Sequence, residues 1–109
     1  MNKIFTWALC ALSLTAHAEF YDGNALYEGM RGSRMDKNAA LGYVMGVADT
    51  VRGVSFCPPP NVTAGQLGDT VQLYLAAVPE KRHYTGDSIV IAVISESWPC
   101  TAPKKGKSL

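Results

Sequence analysis

The sequence predicts an all-α fold: a small bundle of about four helices stapled by one disulfide, Cys57–Cys100. Three observations carry the prediction. Apolar residues recur at helical spacing in three separate stretches. Residues that start helices stand just ahead of those stretches. Two of the three cysteines remain once an export-like leader is set aside, which is an even count. With 109 residues the chain has room for one ordinary domain. It contains no internal repeat and no low-complexity tract.

Residues 1–18 read as a secretory signal peptide. Lys3 supplies the positive start. Ile4 to Leu14 is an apolar run broken only by Thr6 and Ser13, and Ala16-His17-Ala18 is a small-x-small cleavage pattern. The run falls short of the roughly 20 apolar residues of a membrane span. An uncleaved anchor is the alternative. Cys10 lies inside the run and is lost with it. Cleavage leaves residues 19–109 as a single helical domain, formally neutral and expected to be exported. A domain of this size buries only about 60–65% of its unfolded surface and is marginal without a staple. An even cysteine count in an exported chain favours the Cys57–Cys100 bridge. For a closed loop of roughly 44 residues the chain-entropy model gives about 4 kcal/mol. Two free thiols are the alternative.

The elements follow in order. Asp22 is a cap for a short first helix carrying Ala25, Leu26 and Tyr27, limited by Gly29 and Gly32. Asp36 is the candidate cap of a second helix, in which Leu41, Val44, Met45, Ala48 and Val51 form the apolar face and Gly53 ends it. Residues 54–62 form a stiff connector, because Pro58-Pro59-Pro60 excludes regular helix. Thr63 with Gln66 is a capping box, and Leu67, Val71, Tyr74, Leu75 and Val78 make one stripe of a third helix. Pro79 stops it, and residues 79–87 read as an exposed corner. Over residues 86–98, Ile89, Val90, Val93 and Ile94 share one helical face. Their β-branching also suits a strand; the length of the segment and the lack of a partner strand decide for a helix. The basic tail 101–109 is expected to be mobile.

The composition excludes several functions. A formal charge of +1 leaves no nucleic-acid footprint. The export-cleaved chain has one histidine, His83, and no Ser-x-x-Lys motif, G-x-S-x-G elbow or metal-ligand cluster. With both cysteines bridged, no thiolate nucleophile remains. The chain reads as a non-enzyme without metal or cofactor. His83 beside Glu80 and Arg82 is a contact corner rather than an acid–base pair. Gly42 and Gly46, four apart inside the second helix, each cost about 1 kcal/mol relative to alanine. Close approach of another helix of the domain is the expected compensation, and a self-association seam is the alternative.

Leu26-Tyr27-Glu28, Gly42-Tyr43-x-x-Gly46-x-x-Asp49, Phe56-Cys57-x-Pro59, Gln66-Leu67-x-Asp69, Tyr74-Leu75, Pro79-Glu80-x-Arg82-His83 and Trp98-Pro99-Cys100 occur in that order. Over about residues 20–100 this set resembles the Rap/Tai family of small periplasmic immunity proteins linked to type VI secretion. The family pattern would place further cysteines near Met30 and Ala40, and both are absent here. The resemblance implies an all-α periplasmic domain that forms homodimers in many members. It also implies binding to a protein toxin, a peptidoglycan amidase with a Cys-His active site, which the immunity protein blocks by occluding the cleft. On that reading the partner contacts fall on Glu80, Arg82, His83 and Tyr84, with Asn61 of the Pro-rich connector second, and no membrane is involved once the signal is removed. The alternative is a periplasmic acid-stress chaperone or another non-catalytic binding protein.

Overall fold

The computed structural model describes residues 20–101. The expected signal peptide 1–18 and the tail beyond Thr101 lie outside the described residues. Four helices follow in chain order: α1 (Gly23–Met30), α2 (Arg34–Val51), α3 (Ala64–Ala77) and α4 (Gly86–Ser97), with a short 3-10 turn (Pro79–Lys81) between the last two. Among the described residues there is no β-sheet, and the all-α prediction holds.

Local chemistry sets each helix start. Asp22 accepts the Ala25 N–H at 2.8 Å, as a cap should. Thr63 and Gln66 form the expected reciprocal box at the head of α3. The start of α2 differs from the sequence reading. Ser33 is the cap, and Asp36 is the third helical residue, whose carboxylate reaches back to the Ser33 N–H. Two capping residues three apart each satisfy the local signal. Only the extended backbone of Ser33 shows which one stands outside the helix. At the other end, Gly53 sits at φ +83°, a left-handed conformation suited to glycine, and terminates α2.

The helices enclose an apolar core. Leu26, Val44, Val71, Leu75, Val90 and Ile94 are fully buried. All four residues of the α4 face and the Leu67–Val71–Leu75 stripe of α3 point inward as the periodicity requires. Two positions depart from it. Met45 is 39% exposed, because the buried line of α2 runs through Ala40, Val44 and Ala48. Phe56, assigned to the connector by its neighbouring prolines, is only 1% exposed and belongs to the core. The Gly53 N–H donates to the Phe56 carbonyl at 2.8 Å, and the resulting tight turn swings the ring back under the bundle.

Tyr43 lies against Gly86, and the Ser95 hydroxyl donates to that of Ser55 at 2.9 Å. These contacts set α2 and α4 side by side in the same direction. Gly68 of α3 meets Leu41 of α2; Leu67 lines one crevice with Ala48 and Gln72 another with Lys37, so α3 runs back against α2. Cys57 and Cys100 form the expected disulfide across a separation of 43 residues. Beside it the Cys57 N–H donates to the Trp98 carbonyl, and the Trp98 ring meets Phe56 edge to face at 6.0 Å. The double variant Cys57→Ser/Cys100→Ser is expected to lose about 4 kcal/mol of unfolding free energy, read from denaturant midpoints. A loss below 1 kcal/mol would show that the bridge does not hold this end of the bundle.

Candidate functional site

The corner between α3 and α4 is built by backbone hydrogen bonds. Pro79 cannot continue α3, and its fixed φ opens the 3-10 turn. The Lys81 N–H donates to Val78, the Arg82 N–H to Pro79 and the Tyr84 N–H to Lys81. The corner carbonyls then serve a second purpose. Arg82 O accepts the Asn24 N–H and Tyr84 O accepts the Gly23 N–H, each at 2.9 Å. The first amides of α1, which have no partner inside their own helix, are satisfied by the corner. Gly23 is required there: a Cβ would lie 2.6 Å from the Arg82 carbonyl.

The predicted contact residues divide by geometry. Glu80, His83 and Tyr84 are exposed. His83 Nδ1 lies 3.0 Å from the Glu80 carbonyl, and its ring is tilted over Tyr84 with centroids 4.3 Å apart. Arg82 is half-buried. Its Nε donates to the Leu75 carbonyl at 2.6 Å, and its guanidinium lies 4.0 Å from the centre of the Tyr27 ring. It closes the end of α3 and clamps the corner to α1. Asn61 is exposed at the other end of α3, a helix of 14 residues and so about 21 Å long. The structure brings Glu80, Arg82, His83 and Tyr84 together and leaves Asn61 apart from them.

A second feature was not predicted. A groove of about 620 Å³ opens between α2 and α4. Phe20, Tyr21, Tyr43, Val47 and Ile91 supply apolar walls, Gly46 is part of the lining, and Asp87 is its one charged lining residue. The expectation for the glycines is overturned. A Cβ at Gly42 or at Gly46 would meet nothing within 4 Å among the described residues, so none of the other described helices approaches them closely. The sequence held a signal for this face: from Asn38 to Ala48 the chain has no charged residue. Exposure of Ala39, Gly42, Met45 and Gly46 within that stretch became visible only in the fold.

Tyr43 connects the groove to the helix packing. Burial pushes its phenol above the ordinary 10.0; the Asp87 carboxylate and Tyr21 add to the rise, and a hydrogen bond from the Asp87 backbone opposes it. The groups available for chemistry are few. Among the described residues no three His, Cys, Asp or Glu side chains gather to hold a metal ion. No helix there is long and apolar enough to cross a membrane.

Gly42→Ala and Gly46→Ala are each expected to raise the unfolding free energy by up to about 1 kcal/mol, since the methyl enters open space and the helix gains propensity. A drop in thermal midpoint for either would restore the close-approach reading. The Tyr43 contribution has a definite sign. A phenol whose folded pKa is raised binds its proton more tightly in the native state. Its share of stability is full below the ordinary 10.0 and is lost as pH climbs through the folded value. Alkaline unfolding of wild type against Tyr43→Phe checks this, and the variant is expected to decline less above that point.

A family model described as Rap1a immunity proteins matches residues 22–100, which spans the whole bundle, the corner and both bridged cysteines. A search of curated proteins finds no match. On the strength of the family match this helical, disulfide-closed chain belongs to the Rap1a immunity proteins, a family of non-catalytic inhibitors.

Proposed function

We propose that this chain is a periplasmic immunity protein that binds and occludes a peptidoglycan amidase toxin delivered by type VI secretion. The carrying observation is the corner. It is an exposed polar surface tied at several backbone points to a rigid bundle. Such a surface loses little conformational freedom on binding, which favours tight inhibition. Glu80, His83 and Tyr84 are the contact side chains on this reading, and Arg82 holds them in place from beneath. Tyr84 is 48% exposed and offers the kind of aromatic anchor that dominates interfaces. Asn61 serves at most a separate contact, since it occupies the other end of α3.

The acid-stress chaperone reading lacks comparable support. Among the described residues no polar or charged side chain is buried, so the core offers acid no carboxylate to protonate.

The test is co-expression with candidate exported amidases, any encoded beside this gene first among them, followed by titration of the purified pair. Wild type is expected to block wall-peptide cleavage. Tyr84→Ala and His83→Ala are expected to weaken binding by about tenfold or more each, the scale of an interface hot spot. Failure of the wild type to bind or inhibit any of them would sink the proposal. Full inhibition by the Glu80→Ala/His83→Ala/Tyr84→Ala variant would move the contact elsewhere.

A further inference from the structure

The groove between α2 and α4 is left unexplained by the corner. Its volume, about 620 Å³, lies in the range of sites that accept a ligand or a side chain. Its walls are aromatic and aliphatic, and the only charge on its lining is Asp87. Phe20, on its rim, is 86% exposed. A solvated helix face ordinarily carries charged residues, yet the adjoining stretch of α2 has none from Asn38 to Ala48. Glycine is unfavourable inside a helix, and nothing among the described residues requires it at position 46. A larger side chain there would fill the groove.

We propose that this groove docks a segment of the toxin partner that presents an aromatic or aliphatic side chain beside a lysine or arginine. The proposal rests on the immunity reading above. The apolar walls take the hydrophobic side chain, and the carboxylate takes the neighbouring cation. Asp87 is held in place for this: its Oδ1 accepts the Ser88 N–H at 2.8 Å. An acidic segment would be repelled, and a neutral one gains nothing from Asp87. At a separation near 4 Å in water, one such charge pair corresponds to about fivefold in affinity. The groove is continuous with the corner. The Gly86 N–H donates to Tyr21 O and the Gly23 N–H to Tyr84 O, so one rigid unit carries both surfaces. A single partner can therefore cover them together.

The probes are two capped dipeptides, acetyl-Phe-Lys-amide and its charge-reversed control acetyl-Phe-Glu-amide. Each is titrated into isotope-labelled, oxidised protein and followed by amide chemical shifts. The lysine peptide is expected to move the resonances of Gly46, Val47, Asp87 and Ile91 and, at low salt, to bind about fivefold tighter than the control. Gly46→Leu should abolish binding of both peptides, and Asp87→Asn should remove only the difference between them. Equal affinities for the two peptides, shifts away from the groove, no shifts at all, or undiminished binding to Gly46→Leu overturns the proposal. So does a wild-type dimer that Gly46→Leu dissociates while the peptides leave the groove silent, because the occupant is then a second copy. An amidase that binds wild type and Gly46→Leu equally rejects the groove and leaves the immunity reading standing. Lysine-selective binding in the groove of a protein that no amidase recognises rejects the immunity reading instead.

Discussion

The covalent link between Cys57 and Cys100 is the constraint on which the rest of the structure depends. A chain of this size has too little interior to hold several short helices by burial alone. The link ties the segment leaving α2 to the end of α4, and Phe56 and Trp98 fill the space beside it. With that end closed, α2 and α4 are held in the same direction and α3 occupies the return path. The bridge removes loop freedom from the unfolded chain, and the aromatic pair adds buried apolar area to the folded one.

The far end of the bundle is closed by different means. There the carbonyls of the corner satisfy the first amides of α1, and the Arg82 side chain spans from the Leu75 carbonyl to the Tyr27 ring. A turn that would otherwise be a loose loop becomes part of the framework. This is the useful consequence for a binding protein, because an ordered surface gives up less entropy on association. The interior, by contrast, is wholly apolar among the described residues. Whatever the molecule recognises, it does so with its outer faces, as its membership of an inhibitor family requires.

The candidate site was legible only in part. The corner could be read because Pro79 ends a helix and polar residues follow it. The division of labour within it could not. Arg82 and Tyr27 are far apart in sequence, and nothing in either residue reveals that one lies over the other. The groove was less legible still, since its walls come from the N-terminal segment, α2 and α4. Gly42 and Gly46 were recognisable as costly, yet their spacing is the same whether they face a neighbouring helix or open space. The tertiary placement of α2 decided for open space.

The sequence by itself determined the helices and the cysteine pairing. Caps act over three residues, apolar stripes repeat within a few turns, and glycine and proline punctuate locally, so α1 and α3 could be placed from short windows, while α4 needed its length and the lack of a partner strand as well. Two cysteines left after an export-like leader admit one intramolecular pairing. Tertiary structure decided what depends on distant neighbours. It turned Met45 outward and Phe56 inward, and chose Ser33 over Asp36 as the cap of α2. Burial is a property of what packs against a residue, and a one-dimensional pattern cannot say which of two adjacent helix faces will meet the core.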